Sequence, residues 1–144
     1  MKGDKIYLRA YKIAKSGDFE NAYELLLKAA KLNNPKAFYA LANWYLHGRY
    51  VKKNLKKAVE YLSLAAKQNN PDALFDLAVC YEKGAGVKKN LRKAFKLYVK
   101  AALWGDNQSF YEVGRCYYYG IGTPKDKTLA DVWFEKAEKL GINE

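Results

Sequence analysis

The chain has 144 residues, 50% of them hydrophobic and 28% charged, with a formal net charge of +11. That length and composition suit one soluble domain with a substantial core and exclude a disordered polar tract. Three prolines argue against a Pro-rich linker, and the basic surplus favours acidic partners: nucleic acid, an anionic membrane or an acidic protein.

The opening residues MKGDKIYLRAYK contain no apolar run of signal-peptide length. No stretch approaches the roughly 18 consecutive apolar residues of a membrane span. A cytoplasmic location and no membrane span are therefore expected.

The first helix pair is expected over about 3–15 and 19–32, turning through the short segment Ser16-Gly17-Asp18. The second is expected over 35–47 and 55–68, the third over 71–83 and 91–104, the fourth over 107–119 and 127–140. A strict 36-residue register fixes these bounds. Ala22, Ala58, Ala94 and Ala130 keep it, as do Ala29, Ala65, Ala101 and Ala137. Tyr45, Tyr81 and Tyr117 keep it too, and so do Gly48, Gly84 and Gly120. Asp18, Asn54, Asn90 and Asp126 precede each second helix and are suited to cap it, at about 1 kcal/mol each. Asn34-Pro35 and Asn70-Pro71 read as a cap followed by proline at the first helical position, with Asp106 the equivalent cap in the last pair. The glycines at 48, 84 and 120 stand where a left-handed residue ends a helix.

One such pair cannot bury its apolar face, but stacked pairs can. The expected fold is all-α, a solenoid of four antiparallel helix pairs, about eight helices. It forms one repeat domain over 1–144 with units of about 1–33, 34–69, 70–105 and 106–141. The first unit differs. Ala10 and Ala22 are 12 residues apart, whereas Ala42 and Ala58 are 16 apart, so the later units carry four extra residues between their helices. Cys80 and Cys116 occupy the position held by Trp44 in the second unit, so both read as core. Equivalent positions in neighbouring units lie about 9–10 Å apart, beyond the roughly 7 Å a disulfide tolerates. Two free, buried thiols are expected, which suits a reducing compartment.

The segments AFYALANWYLHGRYVKKNLKKAVEYLSLAAKQN, ALFDLAVCYEKGAGVKKNLRKAFKLYVKAALWG and SFYEVGRCYYYGIGTPKDKTLADVWFEKAEKLG resemble Sel1-like repeats. The first unit, with GDFENAYELLLKAAKLN, is more similar to a tetratricopeptide repeat. The resemblance implies a right-handed α-solenoid with a concave inner surface, mostly bacterial, that works as an adaptor or scaffold through protein contacts. Two departures stand out. Tyr50 replaces the second glycine of the Gly-x-Gly turn, so that turn is expected to differ slightly. The paired cysteines of the secreted, disulfide-rich branch are missing.

In such solenoids the first helix of each pair lines the concave face. The stripe away from the core then holds Tyr7, Tyr39, Phe75 and Tyr111 at one level, with Tyr11, Asn43, Val79 and Arg115 one turn later and Tyr118 beyond. Tyrosine and arginine dominate binding hot spots, at about 2 kcal/mol or more each when desolvated. The stripe is expected to take a peptide, helix or loop of a partner protein. The competing expectation is that these aromatics pack on one another and on the next helix.

A basic rim is expected at the inter-helix turns, with Lys52, Lys53, Lys56 and Lys57, then Lys88, Lys89, Arg92 and Lys93, then Lys125 and Lys127. It would suit nucleic acid or an anionic surface, although lysines are ordinary in solvated turns. Nucleic-acid binders interleave aromatics with such residues, and here Tyr50 alone does so. An immunity-type protein for one cognate toxin is a narrower alternative within the protein-binding class. Self-association through the C-terminal end is a further expectation, because Val132, Trp133 and Phe134 follow one another and at least one should face outward.

Catalysis finds little support. His47 is the single histidine and stands at a helix C-terminus. No serine or cysteine sits in a motif with a base, no His/Cys cluster has metal-ligand spacing, and Gly84-Ala85-Gly86 and Gly120-Ile121-Gly122 lack the lysine of a phosphate loop. No cofactor and no metal are expected, and no enzymatic activity.

Overall fold

The computed structural model describes residues 1–142. Among them are eight α-helices and no strand. The chain divides into two compact units, Met1–Asn70 and Pro71–Glu144. The first holds α1 (Asp4–Lys15), α2 (Phe19–Lys31), α3 (Pro35–His47) and α4 (Leu55–Ala66). The second holds α5 (Pro71–Lys83), α6 (Leu91–Leu103), α7 (Gln108–Tyr119) and α8 (Lys127–Lys139). None is long and apolar enough to cross a membrane.

The helices start where their caps dictate. Asp18, Asn34, Asn54, Asn90 and Asp126 each accept a bond from the backbone N–H three residues on. Each bond satisfies a donor that the first turn would otherwise leave without a partner. Asp106 accepts from the Ser109 backbone N–H and hydroxyl, while α7 itself begins at Gln108. The caps before the second helices also tie each pair together. The N–H of Asn54, Asn90 and Asp126 donates to the carbonyl of Tyr45, Tyr81 and Tyr117, at 2.9 Å in all three. The shorter first pair does the same with Asp18 and Ile13 at 3.2 Å. Left-handed Gly48, Gly84 and Gly120 end three of the first helices.

Tyr50 keeps the left-handed φ of its glycine counterparts, and its turn differs from theirs in one added bond, from the Val51 N–H to the Arg49 carbonyl at 2.6 Å. Tyr50 has φ 62°, beside 72° at Gly86 and 70° at Gly122. A non-glycine residue there bears a strain of about 1–2 kcal/mol. Its ring lies 5.6 Å from that of Tyr23 and 6.1 Å from that of Trp44, contacts that offset the strain. Gly122 has no such freedom, because a Cβ there would collide with the Leu91 backbone at the start of α6.

In the first unit, Ala10, Ala22, Leu26, Ala29, Ala37, Leu41 and Trp44 form a buried cluster, and Tyr23, Leu27 and Ala30 of α2 pack against it. In the second unit, Ala78, Ala94, Tyr98, Val113 and Cys116 do the same, joined by Phe95 and Val99 of α6. Alanines at the helix crossings let backbones approach while the larger side chains fill the gaps. Cys80 and Cys116 are free and buried, at the level Trp44 occupies in the first unit. On α8, Trp133 packs against Phe110 and Phe134 against Tyr111, leaving Val132 as the outward residue of that run, 56% exposed.

Candidate functional site: the first-helix faces and the basic turns

In the first unit, Tyr7 and Tyr11 lie one helical turn apart with ring centroids 6.5 Å apart. Tyr7 is half-buried, whereas Tyr11 is 49% exposed with the Lys15 ammonium 4.8 Å above its ring. Tyr39 and Asn43 on α3 are half-buried, and the Asn43 amide donates to the Tyr39 carbonyl at 3.3 Å. Nearer the turn, the Tyr23 and Tyr45 hydroxyls share a 2.8 Å bond and the Tyr45 and Tyr61 rings stack at 5.9 Å.

In the second unit the stripe divides by depth. Phe75 meets the ring of Tyr98 edge-on at 5.8 Å, and Val79 packs against the same buried cluster. Tyr111 is half-buried and lies against Phe134, whose ring also approaches Tyr118 at 6.4 Å. Tyr118 is 40% exposed, with Tyr119 against it at 4.8 Å and the Lys127 ammonium 5.4 Å from its ring.

Arg115 is engaged in a way its sequence position does not disclose. Its two terminal nitrogens donate to the Glu82 carboxylate at 2.7 and 3.1 Å, and its Nε donates to Glu112 at 3.2 Å. The Tyr98 hydroxyl donates to the same Glu82 oxygen at 2.8 Å. Two acids therefore converge on one guanidinium. Glu82 is partly desolvated, which would raise its pKa, but bonds from Arg115 and Tyr98 overcome this and hold it below the usual glutamate value. Burial, and then the Glu82 carboxylate, push Tyr98 up. Burial pushes the Cys80 thiol up, and the Cys116 thiol up to about 12. The sequence signal for the cluster was faint. Glu82 and Arg115 are 33 residues apart, three short of the repeat, which puts them on facing turns of neighbouring first helices.

Of the basic residues, Lys52, Lys53, Lys88, Lys89 and Lys125 lie in the inter-helix turns, and Lys56, Lys57, Arg92, Lys93 and Lys127 on the first turns of the helices that follow. Lys52, Lys53, Lys56, Lys57, Lys88, Lys89, Arg92 and Lys93 are all exposed, as are Lys125 and Lys127. The Lys57 ammonium sits 5.0 Å over the Tyr45 ring and that of Lys93 4.6 Å over Tyr81. These cation–π contacts give two of the rim lysines a fixed place. His47 is exposed at the end of α3. Among the described residues no group of three or more His, Cys, Asp or Glu side chains is placed to hold a metal ion.

The Sel1 repeat model matches residues 7–34, 35–70, 71–106 and 111–142, nearly the whole chain. The chain belongs to the Sel1 repeat family. Solved structures agree. A Sel1 repeat protein from Oxalobacter formigenes is 29% identical and superposes with a TM-score of 0.92 over 97% of this chain and 59% of its own. The protective antigen c5321, present in uropathogenic Escherichia coli strains and displaying an SLR fold, is 30% identical with a TM-score of 0.82, over 84% of this chain and 26% of its own. Helicobacter pylori cysteine rich protein B is 30% identical with a TM-score of 0.65, over 69% of this chain and 77% of its own. This chain thus spans about three-fifths of the Oxalobacter protein and a quarter of c5321. Comparison with curated protein sequences gives no match. Sel1 repeat proteins generally mediate protein–protein interaction, and the repeat is a scaffold rather than a catalytic fold.

Proposed function

We propose that this Sel1 repeat chain is a bacterial cytoplasmic adaptor or regulator that holds a segment of a partner protein against its first-helix faces. The observation that carries this reading is the exposure of large aromatic edges on those helices, Tyr11 at 49% and Tyr118 at 40%. Tyrosine there offers an apolar ring and a hydroxyl at low entropic cost, the combination that concentrates binding energy. In the first unit the binding surface would comprise Tyr7, Tyr11, Tyr39 and Asn43, and in the second Tyr111, Arg115 and Tyr118 with the apolar Phe75 and Val79. The carboxylates on Arg115 leave that cluster with a net negative charge, so the second unit favours a partner segment without acidic side chains at this point.

The basic rim supports a second reading, binding to nucleic acid or another anionic surface. The observation in its favour is that the first turns of α4 and α6 carry lysine or arginine and no acid, an arrangement the helix dipole disfavours. An immunity-type role for one toxin is a narrower form of the first reading.

The two differ in salt response, because phosphate binding falls steeply with salt and aromatic contacts do not. The test is retention of partners from a bacterial lysate at low and high salt by wild type, Tyr11→Ala/Tyr118→Ala, and Lys56→Glu/Lys57→Glu/Arg92→Glu/Lys93→Glu. The proposal expects a protein retained at high salt by wild type and the rim variant but lost by the tyrosine variant. Retention of nucleic acid alone, at low salt alone and only with the rim intact, refutes it in favour of the second reading.

A further inference from the structure

Two repeat-to-repeat junctions lie inside the units, α2 on α3 and α6 on α7, and the 36-residue register makes them equivalent. In the first, Tyr23, Leu27 and Ala30 of α2 pack against the cluster that buries Ala37, Leu41 and Trp44 of α3, with the Tyr23 and Trp44 rings stacked at 5.9 Å. Seventy-two residues on, Phe95, Val99 and Ala102 of α6 stand opposite Ser109, Val113 and Cys116 of α7, all three of which are fully buried. Both faces have the i, i+4, i+7 spacing of a single helical stripe. The helices run antiparallel, so the first residue of one stripe meets the last of the other.

The same stripes on α8 and α1 are charged, with opposite signs. One repeat beyond Phe95, Val99 and Ala102, α8 carries Asp131, Glu135 and Glu138, all exposed. One repeat before Ala37, Leu41 and Trp44, α1 carries Lys5, Arg9 and Lys12, also all exposed. The step back is 32 residues there because the first pair lacks four residues, as the buried equivalents Ala10 and Ala42 attest. Each stripe replaces apolar or small residues at three positions out of three. Exposed Val132 lies beside the acidic stripe and exposed Leu8 beside the basic one.

We propose that the basic stripe of α1 and the acidic stripe of α8 are complementary docking surfaces for a second copy of this chain, joined head to tail in the antiparallel manner of the α2–α3 and α6–α7 junctions. That alignment sets Asp131 opposite Lys12, Glu135 opposite Arg9 and Glu138 opposite Lys5. It needs none of the residues assigned to the partner protein above and stands independently of that reading. The net charge of +11 repels two copies in most orientations. An acidic stripe on an otherwise basic molecule favours orientations that bring it to a basic surface, and the register of the α2–α3 and α6–α7 junctions is the one that brings it to Lys5, Arg9 and Lys12. The Glu135–Lys139 pair, at 3.6 Å and largely exposed, competes weakly for one carboxylate. The two surfaces differ, so each bound copy leaves one of each open and association continues beyond a dimer.

Three exposed pairs at about two- to fivefold in affinity each give a weak, salt-sensitive contact. The experiment is sedimentation equilibrium over a concentration series at low and high salt. It uses wild type, Lys5→Glu/Arg9→Glu/Lys12→Glu, Asp131→Lys/Glu135→Lys/Glu138→Lys, and an equimolar mixture of the two variants, each variant first shown to be helical. Wild type should exceed the monomer mass at low salt and about 1 mM, and return to monomer as salt shortens the screening length from about 30 to 3 Å. Each variant alone should stay monomeric, because its faces carry one sign, and the mixture should associate again. A monomeric wild type under all conditions, a single variant that associates like wild type, or a mixture that stays monomeric each overturns the proposal.

Discussion

Replacing Gly122 by alanine tests whether the second glycine of the inter-helix turn is fixed by close approach rather than by backbone preference alone. Gly122 has φ +70°, and a Cβ built on it would overlap the Leu91 carbonyl oxygen, with the Leu91 carbon at 2.6 Å and the Arg92 nitrogen at 3.0 Å. The left-handed conformation alone costs alanine about 1–2 kcal/mol. The obstacle is backbone at the first turn of α6, which cannot rotate away as a side chain would. Overpacking of that kind adds about 1–3 kcal/mol. A total loss of about 3 kcal/mol follows, or roughly 6–12 °C in Tm for a domain of this size. The control is Gly84→Ala, whose φ is +71° and whose Cβ would come no closer than 3.3 Å, to the Lys89 Cβ. It should lose mainly the conformational part. Urea unfolding followed by circular dichroism measures both. A Gly122→Ala loss no larger than that of Gly84→Ala would refute the steric argument.

Glu82→Gln should lower stability at neutral pH by about 1–3 kcal/mol, because it removes the charge that Arg115 and Tyr98 bond. The Glu82 pKa is depressed in the folded state, so its contribution is present above the unfolded value and lost as pH falls through the folded one. The gap in urea midpoint between wild type and Glu82→Gln should therefore close as pH drops below the usual glutamate range, and a gap that persists at low pH contradicts the assignment. Cys80 and Cys116 should react with a disulfide reagent at pH 8 at least ~100-fold more slowly in the native protein than in denaturant, since both are buried with raised pKa values. Rapid native labelling would mean that α5 or α7 opens readily.

Helix bounds were readable from the chain because what sets them is local. A cap at Asn54, Asn90 or Asp126 bonds a backbone N–H three residues away, and a left-handed glycine ends the preceding helix, so neither depends on the fold around it. The 36-residue register then carried the pairing, and with it the burial of Cys80 and Cys116. The slight difference expected at Tyr50 is the added Val51–Arg49 bond, while the left-handed φ of Gly86 and Gly122 is kept. Whether a Cβ fits depends on what lies opposite, and there the Tyr50 ring meets Tyr23 and Trp44.

The depth of the first-helix stripe was not readable in the same way. Phe75 and Tyr11 share helical spacing and an aromatic character, yet one closes over Tyr98 and the other stands half in solvent. The sequence by itself determined the repeat, the eight helices of the described residues and the family. Only the tertiary structure decided that Glu82 joins Glu112 on Arg115, because Glu112 lies one turn away on the same helix whereas the Glu82 contact joins side chains 33 residues apart across two helices, where packing sets which groups touch.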